Sequence, residues 1–88
     1  MYYVYLLQMN NGNIYTGSTK NLKRRILEHE KGETASTKYK RPIKPILYEA
    51  YILKSDALRR EKYLKTTEGK RFLRQQIKDY LKLNDMGL

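Results

Sequence analysis

The pair Asn11-Gly12, set between the largely apolar run YYVYLLQM (2–9) and the returning segment IYTG (14–17), constrains this chain more than any other feature. A tight hairpin turn needs positive φ at its centre, which asparagine and glycine adopt with least strain, so the pair predicts an antiparallel β-hairpin. Residues 2–9 are aromatic or aliphatic on both faces, the pattern of a strand covered on both sides and central in its sheet. ILYEAYIL (46–53) predicts a third strand.

Helical signals fill the intervals. A first helix is expected from Asn21, as N-cap, to Lys31, with Gly32 at its C-terminal stop. The segment GETASTKYKRPIKP (32–45), with two prolines, reads as an exposed loop. Ser55 is expected to cap a second helix, DALRREKYLK, with Asp56 in its first turn. A third helix starts near Thr67 or Glu68 and places Leu73, Ile77, Tyr80 and Leu81 on one stripe. The expected fold is α+β: a three-stranded antiparallel sheet flanked by three helices, in the order β-β-α-β-α-α. Eighty-eight residues suit one domain, placed at 1–82, with 83–88 expected to be a frayed tail.

Charge narrows the partners. Nineteen Lys and Arg against nine Asp and Glu give a net charge of +10, which attracts polyanions such as nucleic acid or anionic lipid. Nine tyrosines accompany those charges and offer both stacking and hydrogen bonding. The absence of cysteine removes disulfide staples and Cys-based zinc sites and favours a reducing compartment. Tyr2–Leu7 is too short to span a bilayer and has no basic flank before it, so neither a signal peptide nor a membrane segment is expected, and the cytoplasm is the expected location.

Two helices carry charge where a thin core should be apolar. With Leu22 at zero on a helical wheel, Ile26 falls at about 40°, His29 at about 340° and Arg25 at about 300°. On the second helix, with Ala57 at zero, Leu64 falls at about 340° and Glu61 at about 40°. An unpaired carboxylate on that face is costly, so Glu61 must be paired, metal-bound or lining a cleft. A packing salt bridge between Arg25 and Glu61 satisfies the pattern. So does an open site for phosphodiester chemistry: a carboxylate to hold a divalent cation, an arginine to stabilise a pentavalent phosphorane, and a tyrosine to orient or deprotonate water.

These residues together resemble the GIY-YIG nuclease superfamily. Tyr3-Val4-Tyr5 corresponds to the first signature tripeptide and Tyr15-Thr16-Gly17 to the second. GSTKNLKRRILEH is similar to the segment that follows, and SDALRREKYLK to the later helix that bears the family's metal-binding glutamate. The resemblance covers about residues 2–66, and in size the chain looks most like the small stand-alone bacterial members. It implies Arg25 on the scissile phosphate, Glu61 as ligand for a single Mg²⁺ or Mn²⁺, and Tyr5 as general base or water-orienting group. Tyr15 would help to position water or phosphate, His29 would be a supporting acid or base, and Gly17 would permit a tight turn into the helix beside the substrate. The base role requires the Tyr5 pKa to be lowered by Arg25 or the metal. Lys20, Lys23, Arg24, Lys38, Lys40, Arg41, Arg59 and Arg60 would hold phosphates.

The implied activity is metal-dependent hydrolysis of nucleic acid, DNA rather than RNA, in repair or processing. The alternative is a non-catalytic basic nucleic-acid-binding module on the same fold. The chain departs from the family pattern in having Tyr3 and Val4 for glycine and isoleucine, and Thr16 for isoleucine. It also lacks an asparagine soon after Glu61, the next being Asn84.

Overall fold

A computed structural model describes residues 1–85, with the side chains of residues 84 and 85 left aside. Its strands are β1 (Tyr2–Gln8), β2 (Ile14–Thr19) and β3 (Lys44–Tyr51). Its helices are α1 (Leu22–Glu30), α2 (Lys54–Leu64), α3 (Thr67–Gln76) and α4 (Lys78–Asp85). The sheet is antiparallel in the order β2-β1-β3, so the most apolar strand is central, as its two-faced pattern predicts. Gly12 has φ +84° in the hairpin turn and Gly32 has φ +78° just beyond α1. Both take the left-handed conformation that glycine adopts without strain.

The side chains of β1 alternate between two layers. Val4 and Leu6 pack with Ala57, Leu64 and Leu73, which places α2 and α3 on one face. Tyr5 points to the other face, where α1 lies, and meets His29 there. A bidentate ion pair from Arg60 to Glu49 (3.0 and 3.2 Å), with Tyr51 donating to the same carboxylate, fastens α2 to β3. Arg60, expected to hold phosphate, is thus committed to packing.

Three element boundaries differ from expectation. Helix α2 begins at Lys54 with Leu53 in the N-cap position, and Ser55 makes no capping bond. Strand β3 ends two residues earlier than expected and also begins two earlier, because Pro45 and Lys44 pair with Leu7 and Gln8 beyond a bulge at Ile46. Proline is tolerated there because β3 is an outer strand. The third helix is two helices, since Ile77 leaves helical geometry (φ −110°, ψ 27°) between α3 and α4. No glycine or proline marks that break; it lets the Tyr80 hydroxyl reach the Gln8 carboxamide oxygen at the end of β1. Helix α4 continues through Asp85, and the rest of the expected tail lies outside the described residues.

Candidate active site

Asn21 caps α1 by accepting from the Arg24 backbone N–H, and this fixes the direction in which the helix crosses the sheet. Two turns later His29 is fully buried at 0% exposure. Its Nε2 lies 2.9 Å from the Tyr5 hydroxyl and its Nδ1 lies 2.8 Å from Thr37 Oγ1. Tyr5 and Thr37 are equally enclosed, at 1% and 0%. Tyr15 leans on both rings, with centroids 5.1 Å from His29 and 6.3 Å from Tyr5. Arg25, half-buried, stands beside the two tyrosines and donates to Glu28 at 3.1 Å.

Gly17 is directly opposite Tyr5 in the sheet. A Cβ there would lie 2.5 Å from the Tyr5 hydroxyl. Its expected role as a turn into the helix is therefore corrected: it sits inside β2 without a positive φ, and its missing side chain is the space that the Tyr5 ring occupies.

Burial drives the electrostatics. It pushes the Tyr5 phenol up to about 12, outweighing the opposing pull of Arg25. Arg25 acts downward, as the base role requires, but does not by itself bring the phenol below its ordinary value. Burial, followed by the charge of Arg25, holds His29 below its ordinary value, so the ring is neutral at neutral pH. For Glu61 burial acts upward. Hydrogen bonds from Ser18 and Lys65, with the Lys65 charge, outweigh it and hold the carboxyl below the usual range.

Glu61 reaches β2 from the opposite side of the sheet. Ser18 donates to its Oε1 at 2.7 Å and Lys65 to its Oε2 at 2.9 Å. Among the described residues no hydrogen bond or ion pair joins Arg25 to Glu61, so the packing salt bridge is not formed. The expected open site is formed only in part. Tyr5 and His29 form a closed interior, while Tyr15, Arg25 and Glu61 are half-exposed around the outer strand β2.

Among the described residues no three of His, Cys, Asp and Glu converge as a metal cage. A divalent cation would have Glu61, with the Ser18 hydroxyl adjacent. One ionised carboxylate suits Mg²⁺ or Mn²⁺, because such ions keep several waters and need few protein ligands.

The remaining basic residues fall into three groups. Lys20, Lys23 and Arg24 are exposed at the start of α1. Lys38, Lys40 and Arg41 are exposed in the loop after it, but Arg41 donates to the carbonyls of Lys38 and Glu30 and packs on Gly32, which closes the helix end. Arg59, on α2, is paired with Asp56 at 2.9 Å. Thr37 and Lys65 were absent from the sequence expectations. Lys65 had a signal, its position four residues after Glu61. Thr37 had none, because it is a loop residue whose partner is set by the fold.

Residues 1–76 match the GIY-YIG catalytic domain. A UPF0213 protein of Staphylococcus epidermidis is 39% identical over 66 residues, covering 74% of this chain and 80% of that protein. One from Staphylococcus aureus is 36% identical over 74 residues, covering 83% and 90%. The solution NMR structure of a UPF0213 protein from Bacillus halodurans has 34% identity and a TM-score of 0.56, with 86% of this chain and 85% of that one covered. Among the described residues no helix is long and apolar enough to cross a membrane.

Proposed function

This chain belongs to the GIY-YIG family, and from that premise we propose that it is a metal-dependent endonuclease-type domain hydrolysing phosphodiester bonds in nucleic acid, DNA in preference to RNA. One observation carries the reading. The Tyr5 hydroxyl sits at hydrogen-bond distance from a neutral, buried His29, with Arg25 and Tyr15 at the solvent side of the pair.

A phenol near pKa 12 is a poor phenolate base at pH 7, so Tyr5 acts as a neutral hydroxyl. In the tautomer with its proton on Nδ1, shared with Thr37, the His29 Nε2 is the acceptor for the Tyr5 proton. As water attacks phosphorus, its proton passes to Tyr5 Oη while the Tyr5 proton passes to His29 Nε2. Arg25 binds the non-bridging oxygens, whose charge grows in the transition state. Tyr15 positions the water or the phosphate. Glu61 would hold a divalent cation, which would supply Lewis-acid stabilisation of phosphate charge.

A non-catalytic binding module is the second reading, favoured by the near-complete enclosure of Tyr5 and His29. Incubating wild-type protein with single-stranded, duplex, nicked and branched DNA and RNA, with Mg²⁺ or Mn²⁺ against EDTA, separates them. Metal-dependent cleavage supports the nuclease, and binding without any cleavage supports the module.

A further inference from the structure

Helix α1 roofs only part of its face of the sheet. Tyr48 and Ala50, on the β3 side, remain exposed, Tyr48 by 61%. The Tyr48 ring meets Tyr3 edge-on, with centroids 6.1 Å apart and planes at 64°. Facing these rings across an open groove of about 760 Å³ are Leu22 and Ile26, with Lys20, Lys23 and Arg24 along its rim. No acidic residue lines the groove, and none lies in the first turn of α1. A second hollow of about 450 Å³ shares Ile26 and Tyr48 with the first and reaches Tyr5. The two make one trough that runs from the basic start of α1 to the edge of the Tyr5 ring, which closes its inner end.

The exposed Tyr48 ring beside Tyr3 offers an open aromatic face, and the basic rim suits an anion. Bases within a duplex are already stacked on one another and cannot offer a face to Tyr48, whereas unpaired bases can. We propose that this trough is a subsite for single-stranded nucleic acid, in which unpaired bases stack on Tyr48 and Tyr3 while their phosphates follow Lys20, Lys23 and Arg24. The subsite deepens the nuclease reading, on which its nucleic-acid ligand rests: it would select substrates with unpaired nucleotides next to the scissile bond.

The test is fluorescence anisotropy in EDTA, with labelled oligothymidylate, oligouridylate and a blunt duplex of equal length. At least one single strand should bind more tightly than the duplex. Tyr48→Ala should weaken that binding roughly 5- to 150-fold, the weight of one stacked base, and leave duplex binding unchanged. Tyr48→Phe should bind as wild type does, and Lys23→Ala should reduce the slope against log salt by about 1. Tyr48→Leu repeats the loss of stacking with the apolar bulk retained, should the alanine variant fold poorly. The proposal is overturned if both Tyr48→Ala and Tyr48→Leu bind single strands as wild type does, or weaken single-strand and duplex binding alike. Tyr48-dependent binding without cleavage would support the subsite and remove the nuclease reading. Glu61-dependent cleavage with Tyr48-independent binding would do the reverse.

Discussion

His29 Nε2 lies 2.9 Å from the Tyr5 hydroxyl, a contact between residues 24 positions apart that ties the middle of β1 to the last turn of α1. The cost of enclosing an imidazole is met by a partner at each nitrogen. That arrangement makes stability depend on acid. His29 is held below its ordinary 6.5 in the folded chain, so below about pH 6.5 the unfolded chain binds more protons and stability falls with pH. Glu61 is also depressed, but its window opens only near and below the ordinary 4.5. Melting should therefore show a lower Tm at about pH 5.5 than at about pH 7.5 in wild type, and a smaller drop in His29→Gln. An equal drop in both would contradict this.

Tyr5, raised to about 12, sets the other side of the pH dependence. Cleavage carried by a neutral Tyr5 passing its proton to neutral His29 should rise with pH as His29 deprotonates and then stay level to about pH 9. Single-turnover rates measured across that range check it. A limb still rising tenfold per pH toward 10 would show a phenolate base instead.

Gly17→Ala inserts a methyl group into the space of the Tyr5 ring. Overpacking of this kind costs about 1–3 kcal/mol, and about 4–8 °C in Tm per kcal/mol for a domain of this size. Adding Tyr5→Leu should restore part of the Tm while leaving cleavage abolished. Thermal melts and cleavage assays on the two variants separate room from chemistry.

Much of this was legible before any coordinates. Asn11-Gly12 specified the hairpin, the two-faced pattern of residues 2–9 specified the central strand, and the wheel of residues 22–30 placed His29 inward and Arg25 at the border. Periodicity states which face of a helix is buried, but not which layer buries it. An Arg25–Glu61 pair therefore fits the pattern as well as an open site does, although α1 and α2 lie on opposite faces of the sheet and Glu61 bonds Ser18 and Lys65. The break at Ile77 and the Thr37 partner of His29 are tertiary choices with no local residue signal. In sequence Gly17 suggests conformational freedom, yet it matters for what it leaves empty.

Thr37→Val keeps the shape of the loop residue and removes the hydroxyl that bonds His29 Nδ1. A buried Nδ1 without a partner costs about 1–3 kcal/mol, and the freed tautomer should lower the cleavage rate beyond the loss of folded protein. Thr37→Ser should recover both. Chemical denaturation with cleavage rates scaled to the folded fraction reads the two effects, and a full rate in folded Thr37→Val would show that the tautomer does not matter.

The most direct measurement compares wild type with Glu61→Gln on the same nucleic-acid substrates in Mg²⁺, Mn²⁺ and EDTA, with binding followed in parallel. Glu61 is half-exposed, so the amide is tolerated by the fold. Wild type should cut only with metal, and Glu61→Gln should lose about 100-fold or more of the rate while binding within about 2-fold of wild type. Wild-type protein that binds but cuts nothing with either metal, or Glu61→Gln that cuts as fast as wild type, would contradict a nuclease built on this carboxylate.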